Sequence, residues 1–200
     1  MPTVFTHAAV GFVAAKVANE VITPSTRIAL VCMVLSALPD ADALFIGVIP
    51  YNHPLGHRGF THSLFFAAMI GAAAAFALSK AGWTGDRPVW PFALLLFIVI
   101  ALHGFFDSMT DGGLGVAFFA PFSSNRYFMP WRPIPVAPLS LEGLTTQRGM
   151  RVIRYELALF WFFALSAVVW DRRSLWRMIL ACACAVVGIV MWVFALRINT

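Results

Sequence analysis

The chain has 200 residues, a length that would suit one soluble domain, but 60% are hydrophobic and only 12% charged. Soluble domains run at about 45–50% apolar and about 25% charged, so these values and a mean hydropathy of +0.82 exclude a water-soluble globule and predict an integral membrane protein. Disorder, collagen and disulfide scaffolds are excluded as well, because 19 Phe, 7 Trp and only 3 Cys describe a chain that buries aromatic residues without covalent staples. The formal charge of +5 does not point to nucleic acid, since the Arg and Lys are scattered rather than grouped in a run; they are read as flanking the membrane and lining a site.

The first apolar segment, Val4 to Ala18, contains His7 and follows residues without Lys or Arg, so it is expected to stay in the mature protein rather than act as a signal peptide. A second short segment, Ile28 to Leu38, follows a break at Pro24 and Ser25. Leu64 to Leu78, Val89 to Phe106, Leu157 to Trp170 and Leu175 to Leu196 complete the set, the last interrupted only by Arg177. The predicted fold is all-α: a polytopic integral membrane bundle forming a single domain over 1–200, with about four clear transmembrane helices and two shorter membrane-embedded helices at the N-terminal end. The two short N-terminal runs reach only about 16–23 Å at about 1.5 Å per residue, short of the roughly 30 Å hydrocarbon core, so half-burial or local thinning of the bilayer is expected. Cys32, Cys182 and Cys184 all lie in apolar stretches and are read as structural thiols.

Stacking these helices alternately brings Asp40 to His62 and the end of the fourth helix to the side where Val4 starts. Four of the five His and four of the six Asp then gather at one face, with His53 in a Pro-rich loop and Asp86 and Asp171 in the opposite turns. Segments 39–63 and 103–154 are the predicted site-forming loops, and Met109 to Met150 could cover the site. The same stacking puts seven Lys or Arg on each side, so the positive-inside rule assigns no orientation.

Pro39-Asp40-Ala41-Asp42 places two acids at a helix end that is already negative and calls for a compensating positive charge. His57-Arg58-Gly59-Phe60-Thr61-His62-Ser63 precedes a membrane helix, with Thr61 or Ser63 as its N-cap; its two His can converge if His57 sits in the loop and His62 in the first turn. His103 and Asp107 are four apart, on one helix face, with Asp111 a turn further on. Ionisable groups at membrane depth are costly and face polar interiors. With His7, this set of His and Asp offers hard and borderline ligands suited to a two-metal hydrolytic centre. A nucleophile elbow, an H-E-x-x-H motif, a Walker loop and a dinucleotide fingerprint are all missing.

At these residues the chain resembles the YdjM-like family of bacterial inner-membrane proteins, described as metal-dependent hydrolases. The likeness spans about Thr6 to Pro133 and rests on Thr6-His7, Leu38-Pro39-Asp40-Ala41-Asp42, the stretch from His57 to Ser63, His103 with Asp107, and Gly115-Val116 with Pro121-Phe122. More distantly, the order His, Asp, His and His-x-x-x-Asp is similar to the zinc-dependent phospholipase C and P1 nuclease group. That resemblance implies His7, Asp40, His57 or His62, His103 and Asp107 as metal ligands, Asp107 as a possible bridge, and two divalent ions, zinc or manganese. The chain departs from that group in lacking a second His-x-x-x-Glu pair and a ligating N-terminal Trp.

The expected function is a membrane-bound metal-dependent hydrolase of the bacterial inner membrane, acting on a phosphoester or similar bond of a lipid-linked substrate. Asp42 is expected to orient a ligand or act as general base, and Arg58 to hold a phosphate or developing charge. Arg126, Trp131 and Arg132 are candidates for head-group recognition or interfacial anchoring. The alternatives are a divalent-metal transporter, which would place ligands near the midplane, and a structural or regulatory protein whose metal only ties helices together.

Overall fold

A computed structural model describes residues 2–18, 26–138, 140–171 and 173–197; the expected break at Pro24 and Ser25 lies outside them. The described residues form helices and no strands, with only isolated β-bridges in the loops. Helix α1 spans Val4–Val17 and α2 spans Thr26–Ala37. At Pro39, which has no N–H to donate, the coil tightens into a 3-10 turn over Leu38–Phe45. A second 3-10 turn, Phe60–His62, leads into α3, Leu64–Lys80, whose N-cap Ser63 accepts from the Phe66 amide at 3.0 Å. Helix α4, Trp90–Ser108, carries Pro91 in its first turn, where the missing N–H costs nothing. After the long loop and the short α5, Leu141–Leu144, α6 (Gln147–Glu156) runs through a π turn into α7 (Phe162–Val169), and α8 spans Leu175–Arg197.

Among the described residues, four stretches are long and apolar enough to cross a membrane: Thr26–Phe45, Trp90–Ser108, Gln147–Val169 and Leu175–Val193, while α1 and α3 are apolar but shorter. The all-helical membrane bundle is therefore as expected, with two shifts of boundary. The 3-10 extension lengthens the second helix past Leu38, so α2 rather than α3 counts among the long spans. The third long span starts at Gln147, well before the apolar run at Leu157, because Thr146 caps it by accepting from the Gly149 amide at 3.2 Å. Its first turns are amphipathic, with Arg148, Arg151 and Arg154 exposed and Val152 and Tyr155 buried, a pattern that a search for continuous apolar runs passes over.

Helix α1 packs on α2, α3 on α4, α7 on α8, and α4 also receives α1 and α2. Lipid gives helices no hydrophobic reason to associate, so close approach through small residues supplies the attraction. At Gly11 a Cβ would lie 2.4 Å from the Cys32 carbonyl oxygen, which means that α1 and α2 meet backbone to backbone. Around this contact Ala15, Ile28, Cys32, Ala75, Leu96 and Val99 form the buried core. The cysteines are free, Cys32 buried and Cys182 exposed. The alternating path returns His7, the 3-10 turns, the end of α4 and the start of α6 to one end of the bundle; at the other, Asp171 and Arg177 pair at 2.9 Å.

Candidate metal centre

Five stretches of chain meet at that end. His7 lies one turn into α1, Asp40 and Asp42 on the 3-10 turn after Pro39, His57 and Arg58 in the 50–59 loop, His62 in the turn before α3, and His103 and Asp107 in the last turns of α4. All eight are buried, Asp107 and His103 completely. Gly104 makes the convergence possible: a Cβ there would come 2.8 Å from the His62 carbonyl oxygen, so any larger residue would push the His62 turn off α4. Loop 109–138 closes over the cluster, with the Ala117 amide donating to the Arg58 carbonyl at 3.0 Å and Val116 pairing with Tyr127.

Asp40, His62, His103 and Asp107 each present one donor atom, and these atoms lie within 4.8 Å of one another. His103 Nδ1 is 2.7 Å from the Ser36 carbonyl oxygen; a carbonyl only accepts, so Nδ1 carries the proton and Nε2 is left with a lone pair. His62 Nδ1 faces Thr61 Oγ1 at 3.0 Å and Asp42 Oδ2 at 3.2 Å, which fixes its proton in the same way. The two Nε2 atoms are 3.1 Å apart. Asp40 Oδ1 is 3.2 Å from His103 Nε2 and 3.7 Å from His62 Nε2, and Asp107 Oδ2 is 3.5 Å from His62 Nε2. Donors around a tetrahedral zinc with bonds of about 2.0 Å stand about 3.3 Å apart, so this set has the size and the chemistry to hold such an ion.

The hydrogen-bond inventory supports the same fit. Among the described residues, both carboxylate oxygens of Asp40 and of Asp107 are buried without a hydrogen-bond partner, as are Arg58 Nε and both ring nitrogens of His7. Asp107 has cationic and imidazole neighbours at ion-pair distance, Arg58 Nε at 3.1 Å and His7 Nε2 at 3.3 Å, but none is aligned to donate. Buried carboxylates left in this condition are costly. Burial alone would lower the His62 imidazole, yet Asp107, Asp40 and Asp42 outweigh it and hold that group well above its ordinary value. A divalent cation would meet the same need for positive charge.

Asp42 stands in contrast. It accepts from His57 Nδ1 at 2.6 Å, the Arg58 amide at 3.2 Å and Thr61 Oγ1 at 2.6 Å, besides facing His62 Nδ1. It also forms a second group with His57 and His62 that could hold an ion. His57 and His62 converge as the loop-and-turn placement requires, their rings edge to face at 5.5 Å, and His7 stacks on His103 at 3.7 Å.

Other sequence candidates fall outside the cluster. Asp111 is exposed and accepts from the Val136 amide at 2.8 Å, pinning the loop. Arg126 donates to the carbonyls of His57, Tyr51 and His53, so its guanidinium clamps the loop from within instead of facing a head group. Arg132 lies over Phe128, and Trp131 meets Trp192 edge to face. Arg58 is 1% exposed, with Nη1 donating to the Gly112 carbonyl at 2.9 Å, so it serves Asp107 and the loop. Glu156 was not singled out by the sequence. It accepts from the Thr3 amide, Thr3 Oγ1 and Thr6 Oγ1, while Trp161 donates to Thr6; a lone carboxylate just ahead of an apolar run was the available signal.

Two cavities adjoin the cluster. One, of about 630 Å³, is lined by Tyr51, His57, Arg58, Gly113, Ser140 and Arg148. The other, of about 400 Å³, reaches Asp40 past Thr3, Phe5, Leu44 and Leu144.

The model of a family described as YdjM inner membrane protein matches residues 1–196. The chain is also 39% identical over 177 residues, covering 86% of it and 99% of the relative, to the inner membrane protein YbcI of Escherichia coli (strain K12). No solved structure matches, and the likeness to the phospholipase C and P1 nuclease group rests on residue order alone. The chain belongs to the YdjM family of inner membrane proteins, embedded in the bilayer, with a His/Asp cluster that could bind metal.

Proposed function

We propose that the protein is a membrane-embedded, metal-dependent hydrolase acting on a phosphoester or similar bond of a lipid-linked substrate. The observation that carries this reading is the convergence of Asp40, His62, His103 and Asp107, with both buried carboxylates lacking hydrogen-bond partners among the described residues. These four would hold one divalent ion, zinc or manganese. The reading takes one ion rather than two because Asp42, the carboxylate of the second group, is already saturated with hydrogen bonds. When bound, such an ion supplies Lewis acidity and activates water at neutral pH.

The remaining residues have separable tasks. Asp42 orients His62 through Nδ1, and Ser36 orients His103 through its carbonyl, so both imidazoles keep the tautomer a ligand needs. Asp42 also holds the Nδ1 proton of His57, and a tautomer fixed in this way leaves Nε2 able to take up a proton at the wall of the larger cavity. Arg58 balances the charge of Asp107, and His7 stands 3.3 Å from the other oxygen of that carboxylate. All donors lie at one end of the bundle, whereas a transporter would place them near the midplane. The test is hydrolysis of phosphomonoester and phosphodiester lipids by purified protein. Activity should vanish on chelation and return with zinc or manganese, and His103→Ala should be inactive while folded. Turnover that is indifferent to chelation would overturn the reading.

A further inference from the structure

The two cavities beside the cluster share Ala43, Leu44, Ala137, Pro138 and Ser140 in their walls, so they adjoin along one line. Their linings differ in kind. The larger has polar groups around it, with Tyr51, His57 and Arg58 at the cluster and Arg148 from the first turn of α6. Arg148 is exposed and has no ion-pair or hydrogen-bond partner among the described residues. The smaller is walled mainly by apolar side chains, Val4, Phe5, Leu44 and Leu144, and reaches Asp40.

Beside this line the chain turns apolar side chains outward. Leu44, Phe45, Ile46 and Val48 are all exposed, Leu44 at 83%; the first two end the long span Thr26–Phe45 and the other two lie just beyond it. Exposed apolar residues at the end of a span belong in the bilayer interface, which puts the shared wall where lipid can enter sideways. An anion at Arg148 and a hydrocarbon chain beside Leu44 then describe one amphiphilic ligand rather than two.

We propose that the two cavities form a single trough for an anionic phospholipid, with its phosphate at Arg148 in the larger cavity and an acyl chain along Phe5, Leu44 and Leu144 in the smaller. This deepens the hydrolase reading, on which it rests for the chemical class of the head group. Arg148 is a binding residue, Leu44 the lip of the chain groove, and neither is part of the metal centre.

The test uses the full purified chain in a zwitterionic detergent, loaded with zinc and titrated with dioleoyl phosphatidic acid, dioleoyl phosphatidylcholine, oleate and inorganic phosphate, with bound species counted by native mass spectrometry. Phosphatidic acid should bind at least about tenfold more tightly than phosphatidylcholine, and Arg148→Ala should weaken it about tenfold. Leu44→Gln should weaken phosphatidic acid without changing the binding of inorganic phosphate, and both variants should keep their circular dichroism and zinc content. Equal binding of the two lipids with silent variants overturns the trough. Oleate competing as well as phosphatidic acid overturns the phosphate assignment, and a silent Leu44→Gln overturns the chain groove. Zinc retained without lipid selectivity would remove this inference alone, whereas lipid selectivity in a protein that takes up no zinc would remove the hydrolase reading and leave the trough standing.

Discussion

Asp42 and Asp107 are buried in the same cluster and both touch His62, yet their surroundings are opposite. Asp42 is saturated: an imidazole, a backbone amide and a hydroxyl donate to it, and it has no unmet oxygen. Asp107, fully buried, faces Arg58, His7 and His62 but is aligned with none of them as a hydrogen-bond acceptor. A saturated buried carboxylate shapes its neighbours; an unsaturated one in a ring of imidazoles has lone pairs that could take a cation. The contrast separates the residues that would hold an ion from those that set the ligands.

Substitutions can break this comparison in order of effect. Asp107→Asn should abolish tight metal binding and, by leaving Arg58 buried and unpaired, destabilise the fold by about 3–5 kcal/mol, measurable by metal titration and chemical denaturation in detergent. Asp42→Asn should leave an ion bound but cost about 10–100-fold in affinity, the usual effect of losing a group that orients ligands; if it matched Asp107→Asn in severity, the distinction between the two carboxylates would collapse. Glu156→Gln should cost about 1–3 kcal/mol of stability, because it disturbs a buried carboxylate that holds Thr3 and Thr6, with metal affinity unchanged. The smallest effect is on pH dependence. His62 is held above its ordinary value of 6.5, so in metal-free protein its contribution to stability is complete below 6.5 and is lost as pH rises through the folded value. Metal-loaded protein should show the reverse slope, since a proton on His62 competes with the ion; thermal melts against pH with and without zinc would read both.

Much of this arrangement could be read in the sequence, because apolar runs report membrane helices directly and alternate crossing brings their polar ends to one face. His103 and Asp107 were legible as an i, i+4 pair, and the P-D-x-D and His57 to His62 stretches as companions at the same end. Which side chain does what was not legible. The division between Asp40 and Asp42 depends on how a 3-10 turn points two acids two residues apart, one toward His103 and one toward His57, and no residue pattern encodes that. Arg126 reads as a surface cation until the loop folds around it and supplies three carbonyls. Glu156 was hidden for a related reason: Thr3 and Thr6, its partners, lie about 150 residues away. The start of α6 was missed because its stripe of Val152 and Tyr155 is amphipathic rather than continuous.

The most direct test of the central claim is metal content by mass spectrometry on detergent-purified protein, wild type beside Asp107→Asn and Asp42→Asn, each checked for folding by circular dichroism. The account predicts about one zinc or manganese per chain in wild type, none in Asp107→Asn and a weakened but present ion in Asp42→Asn. Wild type that stays metal-free after reconstitution with either ion, while remaining folded, would contradict it.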